Sequence, residues 1–385
     1  MSSTSHVDKA NNTLLILGDF YPDHRDKKAI KAGTYSGVLD QELQKKMQNS
    51  FTIVNLEYPV CSSSLKPEPK TGPNLRGGNE GLDFLKWAQV DLLTLANNHI
   101  LDFGQQGLKE TLENCAVRGL DTVGAGTSVE EAERTYYTQI AGKKVAIVNL
   151  AENEWTTLPD GSGAHALDPI SNFRRIQEAK GNADIVVLIT HGGHEHYELP
   201  SPRMKNLFHG FIDFGADAVI NHHPHIISGM ENYKGKPIAY SIGNFMFDNP
   251  AYRNKGWNKG MGAVLTIKKE EICLEPVFFN QANENAGASC MKAEEEKNIK
   301  QHVETLSAII SDDSQLHKRF QVYCAQEYRQ YASYLEPISN RYLNFLRRRG
   351  WFPTSLNSKR NRILTNIIRN ESHKDVVLET LRKWK

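Results

Sequence analysis

Cysteine is scarce and badly placed for a structural role. The 385-residue chain has five, Cys61, Cys115, Cys273, Cys290 and Cys324, and no CxxC pair. An odd, scattered set argues against a disulfide framework and a thiolate zinc site, and fits reduced thiols in a cytosolic compartment. No run of about 18 apolar residues occurs, so no membrane span is expected. The opening MSSTSHVDKANNT has no apolar core, so no signal peptide is expected and the location expected is cytoplasmic. A dominant charge sign is missing too. Lys+Arg number 46 against 45 Asp+Glu, a formal net charge of +1, which gives no global nucleic-acid signature. No GxxxxGK[ST] loop is present, so any ligation would need a partner or an activated substrate.

Hydrophobic residues at 39% suffice for one large core or two ordinary ones. Charge is unevenly spread. Residues 286–385 hold 18 Lys+Arg against 11 Asp+Glu, a net +7, and the remainder holds 28 against 34, a net −6. The carboxy-terminal part is basic and the body acidic.

Short apolar runs punctuate the body: Leu14 to Leu17, Phe51 to Leu56, Val90 to Ala96, Lys144 to Leu150, Ile185 to Thr190, Ala216 to Ile220 and Ile238 to Ser241. Runs of this length between turn residues suit buried strands. Amphipathic stretches at Glu80 to Trp87, Leu108 to Val117 and Ser201 to Phe214 separate them, and the alternation predicts an α/β fold. Residues 61–79 and 249–262 read as long loops, a class often functional. From about residue 291 the pattern turns helical: Lys292 to Ile310, Leu316 to Tyr334, Asn340 to Arg349, Ile363 to Arg369 and Asp375 to Trp384. Two regions are expected, a domain over 12–284 and a helical extension over 285–385.

The strand ends share one property. They deliver Asp19, then Asn55 and Glu57, then Asn98 and His99, then His191, then His222, His223 and His225. Half of the 14 histidines lie between His191 and His225. In α/β folds ligands collect beyond the carboxyl ends of strands. Carboxylate, amide and imidazole groups form a mixed oxygen/nitrogen set that suits Mn, Fe or Zn. Pro224 between His223 and His225 predicts an extended step with both rings on one side, which leaves His222 as a supporting or packing residue. Glu231 and Asn244 are expected to orient the imidazoles. Asp102, three residues beyond His99, is placed to orient that ring.

The segments Gly18-Asp19, Asn55-Leu56-Glu57, Ala96-Asn97-Asn98-His99-Ile100-Leu101-Asp102-Phe103-Gly104, His191-Gly192-Gly193-His194-Glu195, His222-His223-Pro224-His225 and Tyr240-Ser241-Ile242-Gly243-Asn244-Phe245 resemble the CapA family. Its members are bacterial proteins linked to poly-gamma-glutamate capsule synthesis, similar to calcineurin-like metallophosphoesterases. The resemblance covers about residues 14–282. It implies a two-sheet αββα metallophosphoesterase-like sandwich followed by the helical extension. It implies metal ligands at Asp19, Glu57, Asn98, His191, His223 and His225, for one or two divalent ions. It implies His99 as proton donor to the leaving group with Asp102 behind it, and Arg76 as an anion clamp. His194, Glu195 and His196 border the site as substrate contacts, with His194 and His196 open as alternative ligands. Phosphoesterases carry a histidine where Tyr21 stands here, so the first metal site is short of one ligand.

Two functions fit these residues. One is a metal-dependent hydrolase acting on a phosphoester or a gamma-glutamyl-type amide in capsule polymer metabolism. The other is a non-catalytic binding or assembly component of a capsule synthesis machine. The expected partner is an anionic small molecule or polymer such as polyglutamate, together with capsule-synthesis proteins.

Overall fold

A computed structural model describes residues 12–70, 72–268, 271–335, 340–353 and 356–369. The chain forms two compact units that divide between Leu316 and His317. The strand Ala288–Cys290 and the helix Ala293–Ser311 belong to the first unit, so the sheet architecture runs past the 284/285 boundary expected from sequence.

Two mixed sheets organise that unit. The larger runs in the order Ala288–Cys290, Ile272–Gln281, Lys259–Ile267, Thr13–Phe20, Phe51–Leu56, Leu92–Thr94, Asp121–Val123, with Asn244–Met246 also paired to Thr13–Phe20. The smaller runs Met230–Tyr233, Lys236–Ala239, Ala218–His222, Ile185–His191, Lys143–Ala151, Tyr136–Ile140. In both, the strands that carry the polar ends are parallel to one another.

Period-two alternation sorts the apolar residues into layers. Leu14 and Ile16 face the second sheet and pack with Val187, Ile189, Ala218 and Ile220. Leu15 and Leu17 face the other way, against Leu43, Met47, Leu82, Phe84 and Leu85 from the helices Gln41–Gln48 and Asn79–Trp87. On the far face of the second sheet, Val148, Leu188 and Val219 meet Ile176, Phe208 and Phe211. The order is therefore helix, sheet, sheet, helix. Each fully buried aliphatic side chain contributes about 1.5–3 kcal/mol, so all three interfaces matter. The helix Pro202–Asp213 starts where the sequence places it. Ser201 accepts a hydrogen bond from the Met204 N–H, and Pro202 follows in the first turn.

The parallel strands match the apolar runs closely. The antiparallel strands Tyr136–Ile140, Lys259–Ile267 and Ile272–Gln281 are additions. Tyr136–Ile140 alternates half-buried and exposed positions, and Glu275 and Pro276 interrupt Ile272–Gln281, so neither stands out as an apolar run. In the second unit, Arg341–Arg348 and Ser358–Arg369 are helical as expected. The expected helix Asp375 to Trp384 lies outside the described residues.

One backbone contact fixes the centre of the larger sheet. A Cβ on Gly18 would sit 1.8 Å from the Gly243 carbonyl oxygen, so the Asp19 and Asn244 strands approach at a distance only glycine allows. Gly18→Ala is expected to destabilise the fold by about 1–3 kcal/mol, as overpacking does. Urea unfolding followed by circular dichroism measures it, and an unchanged midpoint would contradict the close contact.

Candidate metal centre

Adjacent strand ends bring the polar groups together. Asp19 is the penultimate residue of its strand and lies in register with Asn55 of the next. The Asn55 amide donates to Asp19 Oδ1 at 2.7 Å. Glu57 follows immediately. His191 ends its strand in register with His222. Asp19, Glu57, Asn98, His191, His223 and His225 are all buried.

Their atoms form two overlapping clusters. Asp19, Glu57 and His225 offer ligand atoms within 4.8 Å of one another, and so do Glu57, His191 and His223. Glu57 belongs to both. Its Oε1 lies 3.7 Å from His191 Nε2 and 3.8 Å from His225 Nε2. Asn98 Oδ1 is 3.1 Å from His191 Nε2, which attaches the amide to the second cluster. His223 Nδ1 lies 3.2 Å from the same nitrogen. Asn244 Oδ1 sits 2.9 Å from His225 Nδ1 and orients that ring.

The electrostatics call for cations. Both Glu57 carboxylate oxygens are buried without a hydrogen-bond partner. Burial raises the Glu57 carboxyl well above its ordinary range, and the neighbouring Asp19 charge adds to this. Burial also acts to raise Asp19, but the His225 hydrogen bond and the imidazoles of His191 and His222 outweigh it and hold the carboxyl low. Burial opposes charging of His225, yet Glu57 and Asp19 push its pKa up to about 10. An unpaired carboxylate in the interior is costly, and a divalent ion between these groups would satisfy it. The residues therefore fit a metal, and the mixed donor set fits Mn, Fe or Zn.

Next to the clusters, His99 Nδ1 lies 2.7 Å from Asp102 Oδ2. Asp102 is tied into the 61–79 loop. The Leu75 N–H donates to its Oδ2 at 2.5 Å and the Glu68 N–H to its carbonyl at 2.8 Å. Lys70 forms an ion pair with Asp102 Oδ1 and donates to the Asn98 carbonyl at 3.1 Å. Burial holds His99 below its ordinary pKa, although Asp102 pulls it up. His99, Asn98 and His225 open onto one cavity of about 200 Å³.

A family model described as bacterial capsule synthesis protein PGA_cap matches residues 13–249. The chain belongs to this family. Among curated relatives, capsule biosynthesis protein CapA of Bacillus anthracis is 30% identical over 276 residues, covering 69% of this chain and 65% of that protein. PGA biosynthesis protein CapA of Bacillus subtilis is 34% identical over 221 residues, 56% of this chain and 57% of that protein. The chain thus spans less than two thirds of the length of these two relatives. A novel phosphatase from Mycoplasma pneumoniae aligns with a TM-score of 0.46 at 14% identity, over 71% of this chain and 94% of that one.

Within this PGA_cap chain several residues stand elsewhere than expected. His223 and His225 are not on an extended segment: their φ angles are +95° and +60°. The rings converge because the backbone kinks through left-handed conformations, which non-glycine residues adopt at a cost. His222 takes the supporting one of its two expected roles, with Nδ1 3.6 Å from Asp19 Oδ1. Glu231 lies away from the site, accepting from Tyr240 at 2.7 Å and pairing with His209. Arg76 does not line the cavity. Its guanidinium donates to the Ser62 and Leu65 carbonyls at 3.3 Å and stacks over Phe103. Glu195 and His196 line the cavity, whereas His194 does not. Tyr21 packs between Tyr58 and Phe247. Lys70, Glu154, Tyr252 and Trp257 also line the cavity and were missed. They sit on long loops with no local pattern, and only their common cavity identifies them.

Because His225 holds a proton up to about pH 10 without metal, loading the site must displace it. Mn²⁺ or Zn²⁺ titration at pH 8 is expected to release at least one proton per ion at that cluster, with affinity rising as pH rises from 6 to 9. Calorimetry in buffers of different ionisation enthalpy measures the release. Affinity independent of pH would refute the assignment, and Glu57→Gln should weaken loading in both clusters.

Proposed function

We propose that this chain is a metal-dependent hydrolase of a phosphoester or gamma-glutamyl-type amide, acting in capsule or polyglutamate metabolism. The supporting observation is that two ligand clusters sharing Glu57 lie beside a buried His99–Asp102 pair, with His225 and His99 on one cavity. The names of the relatives from both Bacillus species supply the polymer context. Divalent metal, when bound, supplies a Lewis acid and lowers the pKa of water.

The chain's own residues supply the rest. Asp19, Glu57, Asn98, His191, His223 and His225 hold the ions. Asp102 takes the Nδ1 side of His99, so the Nε2 side is left to hand a proton to the departing oxygen or nitrogen. Lys70 balances the Asp102 charge and braces the Asn98 backbone, which keeps the proton donor and the amide ligand in one frame.

A second reading, a non-catalytic assembly component, draws on Tyr21. A buried phenol stands where phosphoesterases have a histidine, and burial pushes its pKa up to about 12, so it offers no anionic ligand at neutral pH. The two readings part on turnover. With Mn²⁺ or Zn²⁺, hydrolysis of an aryl phosphate or a gamma-glutamyl peptide is expected. His99→Ala should lower kcat by about 10²–10⁴-fold with metal content unchanged. Asp19→Ala and His223→Ala should lose metal. Absence of turnover on both substrate classes, with metal bound, would overturn the hydrolase and favour the assembly component.

A further inference from the structure

Residues 340–369, in the second unit, hold eight Lys+Arg and no Asp or Glu. The same stretch leaves large apolar side chains in water. Tyr342, Phe345, Trp351, Ile363 and Ile368 are 51–72% exposed. Single exposed apolar residues are ordinary, but several in one short basic stretch call for a partner. The two kinds of side chain are interleaved. On the helix Arg341–Arg348, Tyr342 and Phe345 lie one turn apart on one side, with Arg341 and Arg348 along their edge. The Arg349 guanidinium sits 3.7 Å from the Phe345 ring centroid and 5.6 Å from that of Trp351. The Arg341 guanidinium sits 5.6 Å from that of Tyr342. On the helix Ser358–Arg369, Lys359 and Ile363 are again one turn apart.

Anionic partners differ in what they offer these rings. A polyglutamate chain would pair with the guanidiniums and leave the apolar surface in water. A single-stranded nucleic acid needs open ring faces for its bases to stack on, and guanidiniums already lie over one face of Tyr342 and of Phe345. An anionic lipid surface takes both kinds of side chain at once. Arginines reach the phosphates, aromatic rings settle at headgroup level, and Ile363 and Ile368 meet the acyl boundary. Each Lys or Arg near such a surface adds an attraction that falls off within a Debye length. No described helix is long and apolar enough to cross a membrane, so the contact would run along the surface.

We propose that residues 340–369 dock this protein on an anionic lipid surface, with Tyr342, Phe345 and Trp351 seated among the headgroups and the guanidiniums beside them on the lipid phosphates. The docking surface carries no reaction of its own and depends neither on the metal centre nor on hydrolysis. Its binding strength follows the buried apolar area and the attraction to anionic lipid together. It is therefore strong on anionic lipid at low salt and weak on zwitterionic lipid. Loss of the rings weakens it as loss of the charges does.

The probes are vesicles of phosphatidylcholine alone, vesicles of phosphatidylcholine with about 30 mol% phosphatidylglycerol, and polyglutamate as a competing polyanion. Co-sedimentation of the full-length protein measures partitioning. The anionic vesicles are expected to be favoured roughly tenfold or more at about 0.1 M salt, and the ratio should shrink on raising the salt to about 0.5 M. Phe345→Ala combined with Trp351→Ala should lower partitioning on anionic vesicles about tenfold with the charge unchanged. Arg341→Glu combined with Arg349→Glu should lower it at least as much. Trp351→Phe keeps an aromatic ring and should keep the binding, which separates loss of contact from loss of fold. Equal partitioning on the two vesicle types, or partitioning that the Phe345 and Trp351 double variant leaves unchanged, would overturn the proposal. Polyglutamate bound more tightly than the anionic vesicles, and weakened only by the arginine variant, would also overturn it and mark the surface as a polymer dock.

Discussion

One carboxylate, Glu57, carries no ordinary compensation in the interior of this protein. Asp19 receives the Asn55 amide and lies among imidazoles, while Glu57 has no hydrogen-bond partner at all. An interior charge of this kind is tolerated only where a partner of opposite sign is part of the design. The surrounding structure gathers such partners, and positions for more, around the two carboxylates. Strand order places Asp19 beside Asn55, the parallel register sets His191 opposite His222, and the kink through His223 and His225 turns two rings toward one carboxylate. Buried negative charge thus explains why so much backbone geometry converges on one point.

The proposed proton donor, His99, is built by a different route. His99 sits one residue beyond a ligand amide, so its position follows the metal centre. Its orientation depends on Asp102, and Asp102 is secured by a loop from a distant part of the sequence through Glu68, Leu75 and Lys70. Pairing Asp102 with Lys70 removes the net charge behind the imidazole. The dyad of the sequence reading is therefore a three-residue unit.

Much of this was legible before any coordinates. Apolar runs of four to seven residues ending in Asp, Glu, Asn or His announce buried parallel strands with functional ends, because such strands lack the polar alternation that confuses other assignments. The residues proposed as ligands, Asp19, Glu57, Asn98, His191, His223 and His225, sit at or just beyond those ends. What escaped depends on contacts distant in sequence. Lys70 and Trp257 reach the cavity from loops whose path no local pattern encodes. Arg76 carries a charge that a loop uses for its own carbonyls, a role identical in sequence to that of a substrate clamp. The turn at Pro224 was misjudged because proline fixes its own φ and leaves its neighbours free to adopt positive values.

The contact between Gly18 and Gly243 has a further consequence. Asp19 follows one glycine and Asn244, which orients His225, follows the other. The separation of those two backbones acts as a spacer gauge for the ion cluster between Asp19 and His225. A side chain added at Gly18 would widen the gauge before it touched the residues of the cluster. Redesign aimed at a larger or smaller ion has its most direct adjustment in that backbone crossing, several bonds from the coordinating atoms.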